Sequence, residues 1–327
     1  MPISTTYSPN APAARTGQGS AISNREDLSN ELTLLAPEET PLLSLCGKGT
    51  AKSTFSEWTA DKLAAPATAG ISEGTDVNSF SDKFADRARL GNYVQIFRRD
   101  FLVSNLQQAV NSVGPANIAQ AEAKSMRELK RDVEARICSS SDRTVEDGAG
   151  TPYALRGLGS WLSSSGPADV PAAYRTPAAS ILSSAPTETT FNDVIASIFS
   201  VNGEANSLTL VANVALRKVI SNFTRSSGAA ASEAVYKVNQ NAESKKVTHS
   251  VQLYDSDFGI VKMINGNPDC MTGASGYLVN PSYLQFNTLI PMGATRLENQ
   301  GGGERGFVDM TGTLVCKHPG AHGKITV

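Results

Sequence analysis

Hydrophobic side chains recur most regularly between residues 117 and 141. In NIAQAEAKSMRELKRDVEARICSSS, Met126, Leu129, Val133 and Ile137 step by three, four and four, which is one face of an α-helix. The other faces carry charges of interleaved sign: Glu122, Lys124, Arg127, Glu128, Lys130, Arg131, Asp132, Glu134 and Arg136. About 24 residues at 1.5 Å each make a rod of roughly 36 Å. Its narrow apolar stripe predicts a strut buried on one side, with the charges in a solvated or subunit-facing network.

Upstream, TAKSTFSEWTA (50–60) and RARLGNYVQIFRRDF (87–101) are β-branched and aromatic enough for two strands. Alternation in the second places Leu90, Asn92, Val94 and Ile96 on one face and Tyr93, Gln95 and Phe97 on the other. Residues 61–86 between them show neither period. They carry Leu63, Ile71, Val77, Phe80 and Phe84 as their large apolar side chains. Loops longer than about 12–15 residues are uncommon in compact domains unless functional or disordered. A lone two-stranded ribbon is also marginal in water. The pattern therefore predicts a long arm that lies on another surface, that of a second subunit. Residues 1–30 offer little to bury and read as an N-terminal arm. The leucines at 32, 34, 35, 42, 43 and 45 are interrupted by Pro37, Pro41, Gly47 and Gly49, predicting short helical turns pinned on something else. Ser104 can cap a short helix to about Ser112, ended by Gly114-Pro115.

Residues 142–188 are rich in small residues, with TPYALRGLGSWL as the anchored piece. TTFNDVIASIFSVNG then predicts a helix capped by Thr189 or Thr190, burying Phe191, Val194, Ile195, Ile198 and Phe199 and stopping at Asn202-Gly203. SLTLVAN reads as a buried strand and VALRKVISNFT as a second helix. RSSGAAASEA is a loop, and strands follow in AVYKV, KKVTHSVQLYDSD, FGIVKMI and GYLVNPSYLQFNTLI. Residues 190–290 thus form an α+β unit. The tail GERGFVDMTGTLVCKHPGAHGKITV alternates, as an exposed-faced strand and a turn would.

The chain has 327 residues, long enough for one large domain or two medium ones. Its formal net charge of −2 gives no reason for strong binding to nucleic acid or an anionic membrane. SLTLVANVALRKVI, the longest apolar run, is broken by Asn213, Arg217 and Lys218, so no membrane span is expected. Cys46, Cys138, Cys270 and Cys316 have no metal-ligand spacing, and the N-terminus shows no apolar signal segment. Free buried thiols in a reducing compartment are the expectation. GGGERG fits G-x-G-x-x-G but lacks the strand–helix setting of a dinucleotide site and reads as a hinge. DFG at 257–259 stands without other kinase elements, and CGKGT lacks the first glycine of a P-loop. His318 and His322 are four apart, but Pro319-Gly320 forbids the helix that would make them paired ligands. His249 stands alone in an alternating strand. No nucleophile or carboxylate pair sits in a catalytic setting, so no catalytic, cofactor or metal residue is assigned. Arg98-Arg99, Lys130-Arg131 and Lys245-Lys246 each lie near an acid, Asp100, Asp132 or Glu243. They read as local or inter-subunit charge pairs and not as a grip on phosphates.

The order of parts resembles the major capsid proteins of tailed phages with the Hong Kong 97-type fold. TPLLSLCGKGTAKSTFSEWTADKLAAP is similar to one family's approach to its extended loop, and RARLGNYVQIFRRDFLVSNLQQAV to the return strand. ELKRDVEARI resembles the spine helix, YDSDFGIV and VNPSYLQF the second-domain strands, and GTLVCKHPGAHGKI the C-terminal strand. These segments span most of residues 38–327. The resemblance implies an α+β fold with an N-terminal arm (1–49), an extended β-hairpin E-loop (50–100) and a P-domain (101–189) with its spine helix at 117–141. An A-domain (190–295) and a C-terminal strand returning to the P-domain (296–327) complete it. It further implies a non-enzymatic structural protein, without cofactor or membrane, whose partners are copies of itself in hexamers and pentamers. The icosahedral head would contain double-stranded DNA passively, with scaffolding, portal and decoration proteins as further partners. The protein would reside in the virion after assembly in the host bacterial cytoplasm. Some members of the fold cross-link an E-loop lysine to a neighbour's asparagine. Lys52, Lys62 and Lys83 lie in this arm, but none can be set against such an asparagine, so no cross-link is expected. An encapsulin-like compartment shell is the alternative within the fold. An enzyme built on residues 190–290 lacks a convergent site, and a secreted adhesin lacks a signal segment.

Overall fold

The computed structural model describes residues 37–110, 117–203, 207–223, 239–240, 247–248 and 252–327. The polar N-terminal segment, Gly114-Pro115, the loop RSSGAAASEA, the strand expected in AVYKV, Lys245-Lys246 and His249 lie outside these residues.

Pro41 starts a one-turn helix, α1 (Pro41–Leu45), and the chain leaves it as strand β1 (Gly47–Thr50). β2 (Phe55–Ala60) pairs antiparallel with β3 (Ala88–Tyr93) in a ribbon, and β4 (Gln95–Val103) follows after a single intervening residue, Val94. The Ser104 side chain accepts the Gln107 N–H and caps α2 (Asn105–Ala109). The strut is α3 (Ile118–Cys138), capped by the Asn117 side chain on the Gln120 N–H. α4 (Leu158–Trp161) is a single turn inside the apolar segment, and β5 (Ile181–Leu182) is a two-residue strand. In α5 (Glu188–Asn202) the capping residue is Thr187, one turn ahead of Phe191. Thr187 exchanges side-chain bonds with Thr190, and Gly203 ends the helix at φ 71°, a left-handed conformation that glycine adopts without strain. β6 (Thr209–Ala212) and α6 (Val214–Phe223) come next, then the short strands β7 (Asn239–Gln240) and β8 (Val247–Thr248). β9 (Leu253–Ser256), β10 (Gly259–Asn265), β11 (Gly276–Val279), β12 (Leu284–Leu297), β13 (Glu304–Cys316) and β14 (Gly323–Ile325) complete the chain.

Two sheets organise these elements. A four-stranded sheet runs β1-β12-β13-β4, and a six-stranded sheet runs β5-β14-β11-β6-β10-β9. The first core joins Leu129, Val133 and Ile137 of α3 to Phe97, Phe101, Val308, Met310 and Leu314 of the four-stranded sheet. The apolar segment adds Leu155, Leu158 and Trp161 to it. The second core packs Phe191, Ile195 and Ile198 of α5 and Leu216 and Ile220 of α6 on the six-stranded sheet. Strands β6 and β11 serve both cores. Leu210 and Leu278 face the helices, while Val211, Tyr277 and Val279 face the first core. Burial on both faces explains why these strands read as unbroken apolar runs.

Several features depart from the sequence pattern. Ile96 is exposed, because the alternation slips by one residue at Val94. There the chain leaves its pairing with β2 and begins pairing with β13, so Leu90, Asn92 and Val94 point inward and then Phe97 and Phe101 do. Phe199 is more than a third exposed and rests against Phe258 at the surface. The tail strand β13 is interior, flanked by β12 and β4, and its last seven residues are all buried. Asn92 closes over it, giving its amide N–H to the carbonyls of Leu314 and Arg156 and accepting the Arg156 N–H. Sheet membership also differs from the grouping in sequence. β12, read with the strands before it, lies in the four-stranded sheet, and β14, near the C-terminus, lies in the six-stranded one. The four cysteines are free and buried.

Glu134 is the largest departure. It is not on a solvated face but 1 % exposed. Its carboxylate accepts the N–H groups of Leu42 at 2.9 Å and Leu43 at 2.7 Å, fastening α1 to the strut. Burial raises its pKa above the ordinary value, although these two bonds act in the opposite direction. The folded chain therefore binds this proton more tightly than the unfolded chain. The stabilisation is full below the unfolded pKa and is lost as pH rises through the folded one. Glu134→Gln should abolish this slope in urea midpoints measured from about pH 4 to pH 7. Glu134→Ala strands two donors and should cost about 2–3 kcal/mol. An alanine variant as stable as the parent would show that the contact does not anchor α1.

Candidate assembly surface

The ribbon of β2 and β3 opens into residues 61–87. At its mouth Arg87 Nε donates to Asp61 Oδ2 at 2.8 Å, and the Tyr174 hydroxyl donates to the Asp86 carbonyl. The bond to Arg87, opposed by slight desolvation, holds the Asp61 carboxyl below the usual range. Trp58 packs on Trp161 below this pinch, and the Arg87 guanidinium lies 4.0 Å from the Phe84 ring centre. Beyond the pinch the arm leaves its own subunit. Leu63 is 93 % exposed, Ile71 85 % and Phe80 90 %, and Val77 and Phe84 are also open. Burying a large apolar side chain is worth about 1.5–3 kcal/mol, so a covering surface could draw on the order of 10 kcal/mol from these five before ordering costs.

The arm is rooted in an ionic hub centred on a buried arginine. Arg156, 1 % exposed, gives Nε to Asp142 at 2.5 Å and Nη2 to Asp169 at 2.7 Å, and stacks on Trp161. Arg143 joins Asp169 at 3.2 Å and donates to the Gly91 carbonyl of β3. Burial would raise the Asp169 pKa, but the two guanidiniums outweigh it and hold the carboxyl low. The sequence held one trace of this hub, an arginine inside the apolar run YALRGLGSWL, and no local pattern identified its partners.

The strut's charges are mostly committed within the chain. Arg99 makes a bidentate pair with Asp132 at 2.6 and 2.7 Å. Arg127 reaches Glu38 at 3.1 Å, Arg131 reaches Asp269 at 2.6 Å and Arg296 reaches Glu122 at 3.2 Å. Arg98 pairs with Asp309 at 3.7 Å instead of with its neighbour Asp100. Lys52, Lys62 and Lys83 are exposed. The three glycines of GGGERG, at 301–303, lie in the turn between β12 and β13, with Gly303 at φ 135°, and its last three residues begin β13; Asp257-Phe258 form the turn between β9 and β10. His318 and His322 flank a 3-10 turn at Pro319–Ala321. His322 is buried, accepts the Asn280 N–H at Nδ1, and is kept neutral by burial, with its pKa lowered to about 3. Among the described residues no group of three His, Cys, Asp or Glu could hold a metal. No helix there is long and apolar enough to cross a membrane.

A family model described as the SU10 major capsid protein matches residues 11–327. Among solved structures, the capsid of the cyanophage P-SCSP1u superposes with a TM-score of 0.60 at 11 % identity, covering 95 % of each chain. The capsid of a native GTA particle gives 0.59 at 11 % identity, covering 97 % of this chain and 100 % of that one. Gordonia phage Cozz gives 0.58 at 12 % identity, with 97 % of each chain covered. At such identities the likeness is one of fold. No match was found among curated proteins.

Arg156→Met should cost about 1–2 kcal/mol, since it removes two charge-assisted hydrogen bonds to carboxylates that stay partly solvated. Lys124→Ala, on the exposed side of α3, should change stability by less than about 0.5 kcal/mol. Urea denaturation of the unassembled subunit separates the two, and equal losses would mean that the hub does not hold the base of the arm.

Proposed function

We infer the role of this chain from one premise: it belongs to the SU10 major capsid protein family. It is a major capsid protein of the tailed-phage type with an α+β, Hong Kong 97-type fold, a structural protein and not an enzyme. Its place is the virion, and it acts with other copies of itself in a capsid lattice.

We propose that the copies form hexamers and pentamers of an icosahedral head around double-stranded DNA, assembled in the host cytoplasm. The observation that carries this reading is the arm, whose apolar side chains find no cover among the described residues of their own subunit. Residues 1–49 would be the N-terminal arm, 50–100 the E-loop and 101–189 the P-domain. Residues 190–295 would be the A-domain and 296–327 the returning strand. In the proposed shell the E-loop lies over a neighbouring subunit and gains there the burial that it lacks at home. Scaffolding, portal and decoration proteins would meet the assembled surface. The wall would contain DNA without gripping it, because Arg127 and Arg131 of the strut, and Arg99 and Arg296 beside it, are engaged by acids of the same chain.

Replacing residues 62–85 by a short Gly-Ser turn should leave a soluble, folded subunit that forms no shells. Electron microscopy and circular dichroism of the deletion variant check both parts, and normal particles would refute the role given to the arm. Fluorescence anisotropy on the free subunit should give duplex DNA binding no tighter than about 10⁻⁶ M at physiological salt. Nanomolar affinity would overturn passive containment.

A further inference from the structure

Lys324 is a partly buried cation with no carboxylate beside it. Its Nζ donates to the Ser140 hydroxyl and to the Gly159 carbonyl, each at 3.1 Å, and both acceptors are uncharged. No described acid lies within ion-pair distance of it, and burial lowers its pKa without an opposing charge. The ammonium faces a cavity of about 340 Å³ bordered by Ser140, Asp142, Ser160, Ser163, Ser164 and Ile181. Asp142 is the one acid on this border, and its Oδ1 already receives Arg156. A cation partly withdrawn from water is costly until an anion joins it. The hydroxyls of Ser160 and Ser164 also border the cavity and can add donors to such an anion.

No described acid of its own subunit pairs with Lys324, so the pocket is open to an anion carried by another chain. We propose that this pocket receives an Asp or Glu carboxylate from a second copy of the chain. This rests on the shell reading, in which copies pack against one another at high effective concentration. Charge complementarity supports that source: the exposed arm presents Glu73 and Asp76, neither of which pairs with a cation among the described residues.

Particles assembled from a mixture of ordinary and ¹⁵N-labelled chains can be treated with a carbodiimide. The reagent activates a carboxylate, and an adjacent lysine amine then forms an amide with net loss of water to the reagent. Mass spectrometry should find Lys324 joined to an Asp- or Glu-containing peptide of mixed isotope origin, in particles and not in free subunits. Lys324→Met should raise the subunit concentration needed for assembly about tenfold, and Lys324→Arg should not, both with parental urea midpoints. Normal particles in which Lys324 is unlinked, or linked only within one chain, would overturn the pocket's role and leave the shell reading standing. Protection of Lys324 from acetylation in DNA-filled heads but not in empty ones would reassign the pocket to a phosphate and also overturn the proposal. A parent chain that forms no particles would remove both readings together.

Discussion

The burial of one stripe of α3 on the four-stranded sheet is the contact on which the other attachments depend. Leu129, Val133 and Ile137 are fully buried there, and each remaining part of the subunit is then tied to the same helix by a polar bond. Glu134 holds α1, and the Cys138 carbonyl at the helix end accepts the Tyr277 hydroxyl of the six-stranded sheet at 2.6 Å. Arg136 reaches the Leu155 carbonyl in the segment that roots the arm. Apolar packing supplies most of the stabilisation, but it is non-directional. These bonds fix how each part is oriented on the rod, because each leaves a buried polar group unpaired if the part turns away.

Features set by local periodicity were legible in the sequence. The apolar steps of α3, the cap at Ser104 and the lack of any period in residues 61–86 each follow from residues a few positions apart, whereas the cap of α5 falls on Thr187 and not on the expected Thr189 or Thr190. Features set by distant partners were not. Glu134 looks like every other charge on its helix, and its acceptors' partners lie 92 and 91 residues away. The slip at Val94 arises from a change of strand partner, and one side of that change is β13, more than two hundred residues downstream. Membership of β12 and β14 in their sheets is likewise a matter of register between remote segments, which alternation alone cannot assign.

Arg156 and Asn92 show the same division at the root of the arm. Both sit in runs that read as apolar, and both are buried because they bond backbone or acids from elsewhere. A buried ion pair is weak evidence for net stability, but it is demanding in geometry. At this position that demand gives the ribbon a defined exit direction, set by Arg143 on β3 and by Tyr174 on Asp86.

The open arm has a consequence for the protein before assembly. Exposed chain with apolar side chains is an aggregation hazard, above all in windows of five to seven residues without breakers. In this arm no two of the five large apolar residues are adjacent, and Pro66, Gly70, Gly74, Asp76, Asp82 and Lys83 interrupt the spaces between them. Such residues act as gatekeepers against strand-to-strand stacking. A newly made subunit can therefore wait in a crowded cell with its adhesive surface uncovered, because that surface is divided into pieces too short to nucleate a fibril.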